Sequence, residues 1–166
     1  MAIQERPLTT EELSEFADYT HRAMINLGLA DFEPEPEVAV QAVETFVDRW
    51  QAERRNPIKK LFIRSPNPVE VALGLGSVWG NQLVRRFGWE WACIQQDDQE
   101  LYAVVAPDRS IAVYPTYFLK ACLDDPRVDC TAMLAFNMLV AGNVSGLPVQ
   151  GYENLMQGVR RIIPKR

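Results

Sequence analysis

The chain has 166 residues, nearly half of them hydrophobic, and 23% charged. That composition supports one folded domain with a core that needs neither disulfides nor a metal, and it excludes a disordered chain. The net charge of −5 is unevenly placed: residues 1–50 carry 11 acidic and 3 basic side chains, whereas residues 51–166 carry 11 acidic and 14 basic. An acidic first third on a nearly neutral body repels nucleic acid and anionic membranes and attracts cationic partners.

No apolar run is long enough to span a bilayer; the longest, Thr131–Ala141, is interrupted by Asn137. The first ten residues lack a basic segment followed by an apolar one. Three cysteines, an odd number, fit buried thiols in a reducing compartment. The expectation is a cytoplasmic chain.

The first helix begins at Thr9, where Thr9-Thr10-Glu11-Glu12 has the pattern of a capping box. Leu13, Phe16, Ala17, Thr20, Ala23, Met24 and Leu27 then recur at helical spacing, and Gly28 stops the helix. Asp31-Phe32-Glu33-Pro34-Glu35-Pro36-Glu37 reads as a stiff acidic connector. A second helix follows from about Glu37 to Arg55, with Val40, Val43, Phe46, Val47 and Trp50 as its buried stripe. The stretch Ile58–Arg64 is a short strand or an extended connection. With Arg54 and Arg55 it forms the densest basic cluster: Arg54, Arg55, Lys59, Lys60 and Arg64.

Asn67-Pro68-Val69-Glu70 opens a third helix, which runs to about Phe87 and closes on Gly88. Ala72, Gly76 and Gly80 fall four apart, which suits a helix lying directly on a sheet. Three strands follow: Trp89–Gln95, Leu101–Ala106 and Ile111–Tyr114. Their short connections predict an antiparallel meander. A short helix over Thr116–Leu123, an apolar helix over Cys130–Ala141 capped by Asp129, and a last amphipathic helix over about Tyr152–Ile163 complete the chain. The predicted fold is therefore α+β, a single domain over 1–166. In it a meander of about three strands packs against about five to six helices.

Groups suited to catalysis are few. His21 is the single histidine and sits in the middle of the first helix, beside its apolar stripe. Cys93, Cys122 and Cys130 lie too far apart in sequence for a zinc site and read as core residues. The glycines of Leu73–Gly80 have the look of a dinucleotide loop, but that fingerprint needs a strand before it, and here a helix is already under way. The pairs Asp97-Asp98 and Asp124-Asp125 suit solvated turns. The expectation is no catalytic residue, no metal and no cofactor.

The tryptophans divide. Trp50 and Trp79 suit the core. Trp89 and Trp91 flank Glu90 on one strand and point to one face, which either packs under the third helix or forms an aromatic surface extended by Tyr102, Tyr114 and Tyr117.

Residues Val71–Pro115 carry a helix with Leu75-Gly76 and Arg86-Phe87-Gly88. Next come the strand Gly88-Trp89-Glu90-Trp91 and a hairpin with Val104-Val105-Ala106-Pro107, ending in Tyr114-Pro115. This pattern resembles a small bacterial cytosolic domain of unknown function, similar to the immunity proteins of interbacterial toxin systems. The resemblance covers roughly a quarter to a third of the chain and offers no catalytic residues. It implies a binding protein that occludes a toxin's active site. The acidic residues suited to a cationic protein partner are Asp31, Glu33, Glu35 and Glu37, with Asp97, Asp98 and Glu100 as a second patch. A small-ligand or regulatory domain using the aromatic strand face, and a carboxylate-dependent enzyme, are the alternatives.

Overall fold

The computed structural model describes residues 3–56, 66–96, 98–159 and 161–162. Six helices and seven strands are present among them: β1 (Gln4–Pro7), α1 (Thr10–Asn26), α2 (Pro36–Arg55), α3 (Pro68–Phe87), β2 (Glu90–Gln96), β3 (Gln99–Val105), β4 (Ile111–Val113), α4 (Pro115–Asp124), β5 (Val128–Asp129), α5 (Ala132–Val140), β6 (Glu153–Asn154), α6 (Leu155–Val159) and β7 (Arg161–Ile162). The class is α+β, as expected.

The signals at the helix ends act as their chemistry requires. The Thr9 hydroxyl accepts from Glu12 N (3.2 Å), and the Glu12 carboxylate accepts from Thr9 N (2.7 Å), which closes the capping box. Asn67 Oδ1 accepts from Val69 N, and Pro68 fills the first position of α3. Gly88, at φ 68°, turns the chain out of α3 in a left-handed conformation that a side chain would strain. Along α1 only Phe16 and Ala23 are fully buried. Leu13 of the expected stripe is half exposed and Ala17 is exposed, because one face of α1 packs on α3 and the rest meets water.

The third helix is the centre of the fold. It contacts α1, α2 and α4 as well as strands β2 and β3, and ten of its residues are buried, including Trp79, Leu83, Ser77 and Gln82. Its glycines sit at three different contacts. A Cβ at Gly74 would stand 3.0 Å from the Ala23 Cβ on α1, and one at Gly76 would stand 2.8 Å from the Thr116 Cα on α4. One at Gly80 would enter the Trp91 ring on β2 and stand 3.0 Å from Val104. The small residues therefore do not form one stripe against the sheet. Gly80 meets the sheet, and Gly76 lets α4 come close.

The main sheet has the order β1-β2-β3-β4-β6. Strands β2, β3 and β4 make the expected meander, with Glu90 opposite Val105 and Val104 opposite Val113. Two strands extend it. β1 pairs antiparallel with β2, Glu5 opposite Ile94, and β6 pairs parallel with β4, Ile111 opposite Glu153. The three-strand expectation is thus corrected to five, because short edge strands of four and two residues are too brief to show a two-residue period.

The last part of the chain also departs from expectation. Instead of one helix over Tyr152–Ile163 there are two short strands around a five-residue helix. Tyr152 takes φ 48° and donates its N–H to the Arg109 carbonyl (2.8 Å), and Glu153 N donates to Ser110 O (3.0 Å), so this backbone is drawn onto β4. Asp129 lies in β5, paired with β7, and does not cap α5. That role falls to Glu44 on α2, whose carboxylate accepts from Met133 N (2.8 Å), while Thr131 makes no side-chain cap.

The expected strand or connection at Ile58–Arg64 lies outside the described residues, with Lys59, Lys60 and Arg64 of the basic cluster. Arg54 and Arg55 donate to the carbonyls of Leu123 and Pro126, at the end of α4. Among the described residues no helix is long and apolar enough to cross a membrane.

Gly80→Ala tests the close packing of α3. Alanine's better helix propensity favours the variant by about 1 kcal/mol, whereas crowding a rigid indole in a packed core costs about 1–3 kcal/mol or more. A net loss of about 1–2 kcal/mol is expected in urea unfolding at neutral pH. Equal or greater stability would show that Trp91 is not held in place.

Candidate functional site

The aromatic residues of the strands are gathered beneath two helices. Trp89 is buried and packs its ring 5.9 Å from Phe87. Trp91 is half-buried, lies 4.9 Å from the Phe16 ring on α1, and donates its indole N–H to Asn81 Oδ1 on α3 (2.9 Å). Tyr102 meets the same Phe16 ring edge-on at 5.2 Å and donates its hydroxyl to Glu12 (2.8 Å). Tyr114 turns to the opposite sheet face, against Ala92, Ile94, Ala103, Val105 and Ala112. Tyr117 is exposed and donates to the Glu100 carbonyl (3.2 Å). Helices α1 and α3 therefore roof the face shared by Trp91 and Tyr102.

Polar groups fasten this roof. Arg6 on β1 grips both oxygens of Glu12 (2.8 and 2.9 Å) and reaches Glu100 on β3 (3.2 Å). Glu12 thus joins the edge strand, the start of α1 and, through Tyr102, the hairpin. The hydrogen bonds from Arg6, opposed by partial burial and aided by those from Thr9 and Tyr102, hold the Glu12 carboxyl far below the usual range. Burial, reinforced by the hydrogen bond to Glu12, pushes Tyr102 up to about 12. Burial raises the Cys93 thiol, although Arg6 acts against it. On the other sheet face Arg109 binds Glu5 (2.7 Å) and Glu90 (2.6 Å), and Tyr152 donates to Glu5 (2.8 Å).

The acidic residues singled out in the sequence fall into two groups. In the connector, Asp31 and Glu35 are exposed, Glu33 pairs with Arg85 (3.2 Å) and Glu37 approaches Arg86 at 3.9 Å. At the β2–β3 hairpin, Asp98 is exposed at φ 63° and Glu100 is engaged by Arg6, while Asp97 lies outside the described residues. The hairpin group lies beside the start of α1 and the connector follows its end. The 17 residues of α1 therefore set the two groups about 25 Å apart. Glu11, Glu15 and Asp18 lie between them at helical spacing, all exposed. Sequence reasoning overlooked these three as surface residues, although their spacing of four and three was readable.

His21 is exposed on α1. Cys93, Cys122 and Cys130 are buried and reduced, and the neighbouring Cys122 together with burial raises the Cys130 thiol. Among the described residues no three His, Cys, Asp or Glu side chains stand close enough to hold a metal ion. Glu44, Asp48 and Asp129 form the nearest approach to a carboxylate cluster. Burial raises the first two, with Asp129 adding to both, and Glu44 already caps α5. Asp124 pairs with Lys120 and Asp125 with Arg127. No protein-family model, characterised protein or solved structure matches the chain.

Glu12→Gln should lower stability by about 1–2 kcal/mol at pH 7, since it removes the charge from the pair with Arg6 while the amide oxygen can still accept from Thr9 N. The folded protein holds Glu12 ionised, so its contribution is complete well above the ordinary value of 4.5. Below that pH the unfolded chain takes up a proton that the folded chain refuses, and the contribution declines. Denaturant titrations at pH 7, 5 and 3 should therefore show the gap between wild type and variant narrowing on acidification. A gap independent of pH would refute this role for the Arg6–Glu12 pair.

Proposed function

We propose that the chain is a cytoplasmic binding protein of the immunity type, which neutralises a cognate toxin by covering the toxin's cationic active site. The observation that carries this reading is the exposed acidic edge of the first third. Glu11, Glu15 and Asp18 on α1, with Asp31 and Glu35 in the connector, have no cation within ion-pair distance among the described residues. Five carboxylates left uncompensated along one helix and its exit give a negative strip on the order of 25 Å long. Such a strip speeds encounter with a cationic site and disfavours nucleic acid and anionic membranes.

Within this reading Asp31, Glu35 and Asp98 are the contact residues at the two ends of the strip. Glu33, Glu37 and Glu100 share their charge with arginines, so they set its borders and contribute less to attraction. The partner is a protein with a basic cleft, and the chain acts through shape and potential and transforms no substrate.

The test is a titration of the purified full chain with the protein encoded beside it in the genome, followed by calorimetry at 50 and 300 mM salt. A one-to-one complex is expected. Asp31→Lys combined with Glu35→Lys should weaken it at least tenfold, chiefly through slower association at low salt. Cells expressing the neighbour should lose protection with the same variant. Unchanged affinity after charge reversal, or no complex with the neighbour, would overturn the proposal.

A further inference from the structure

Helices α1 and α2 both pack along α3 rather than along each other. The gap between them is a groove of about 420 Å³ over the first half of α3, floored by Ala23, Val71 and Leu75 and walled by Tyr19 and Phe46. A second hollow of about 310 Å³ along α2 shares Asn26 and Phe46 with it, and reaches Val38 at one end and Arg49 at the other. The residues facing it follow helical spacing: Tyr19, Arg22, Ala23 and Asn26 on α1, and Val38, Ala42, Phe46 and Arg49 on α2. Val38 is half exposed although it is apolar. The α2 wall from Val38 to Arg49 is about 16 Å long, or three turns of a helix.

The charges around the groove are unusual for this protein. Eight other cations are engaged. Arg6, Arg85, Arg86, Arg109, Lys120 and Arg127 pair with carboxylates, and Arg54 and Arg55 cap carbonyls at the end of α4. Arg22 and Arg49 have no carboxylate partner among the described residues; Arg22 lines the groove and Arg49 the adjoining hollow. Arg22 lies over the Tyr19 ring at 5.0 Å and makes only a long contact to the Asp18 carbonyl. Glu70 also borders the groove, but it stands in the first turn of α3, where the helix dipole offsets its charge.

We propose that this groove receives an acidic amphipathic helix from a partner protein. The occupant would set apolar residues at i, i+3 or i+4, and i+7 onto Ala23, Phe46 and Leu75, and would place carboxylates against Arg22 and Arg49. A helix completes the packing because no described element fills the position beside the two helices already seated on α3. The groove is partly open to solvent. A small ligand would leave much of its surface in water there, whereas small-molecule sites enclose about 70–90% of their ligand. Arg22 follows Asp18 by one turn of α1, so this surface adjoins the acidic edge, but the inference does not rest on the immunity reading.

The test is a displayed library of helical peptides, randomised on the apolar face and its flanks and panned against the full chain, with binding measured by fluorescence anisotropy. Enriched peptides should carry apolar residues at that spacing with flanking Asp or Glu. Arg22→Glu combined with Arg49→Glu, and separately Val38→Glu, should each weaken them at least tenfold. All three positions are exposed, so thermal unfolding should be unchanged in both variants. Enrichment of peptides without acidic residues, no enrichment, or affinities indifferent to both variants would overturn the proposal. So would oleate or anionic vesicles binding in the same Arg22- and Arg49-dependent way while peptides do not.

Discussion

The close approach of other elements to α3 is the constraint on which the structure depends. A helix that three other helices and the sheet approach cannot keep ordinary side chains at every contact, because each would hold its neighbour too far away. Glycines at 74, 76 and 80 remove that obstacle towards α1, α4 and the sheet in turn. Each glycine weakens the helix by about 1 kcal/mol in isolation. The burial of Trp79, Leu83 and Val78 that close packing permits is larger, at about 1.5–3 kcal/mol for each apolar side chain.

Electrostatics then fixes the periphery to this centre. Arg85 and Arg86, in the last turn of α3, favour the helix dipole and also tie down the connector through Glu33, Glu37 and the Pro34 carbonyl. Arg6 and Arg109 clamp the two sheet faces near their edges through Glu12 and Glu5. These pairs use up part of the acidic charge of the first third. What remains unneutralised is concentrated on the outer face of α1 and its exit. The same distribution leaves Arg22 and Arg49 without a carboxylate partner among the described residues, beside the two hollows that border α2.

Much of the fold was legible because its signals are local. Thr9 with Glu12, Asn67 with Pro68, and Gly88 mark helix ends by chemistry within four residues, and the apolar stripe of α2 follows its period from Val40 to Trp50. The hairpins at 96–99 and 105–111 were legible for the same reason. The edge strands were not, since β6 exists only because the Arg109 and Ser110 carbonyls recruit Tyr152 and Glu153 across forty residues of chain. Nor could sequence show that Glu44 caps a helix 88 residues further on. For the candidate surface, the acidic bias was visible in composition. Its division into paired and unpaired carboxylates required Arg85, Arg86 and Arg6 to be placed in space. Trp91 on β2 packs under the helices, one of the two alternatives its position offered, but the roof formed by Phe16 and Gly80 had to come from tertiary packing.

The two outermost strands of the main sheet have a bearing on the protein's solution behaviour. β1 is four residues long and ends in Pro7, which has no backbone N–H to offer, while β6 contributes only two residues. Neither margin presents a ladder on which a second polypeptide could zip up. The rims of this sheet thus offer little template for cross-β assembly.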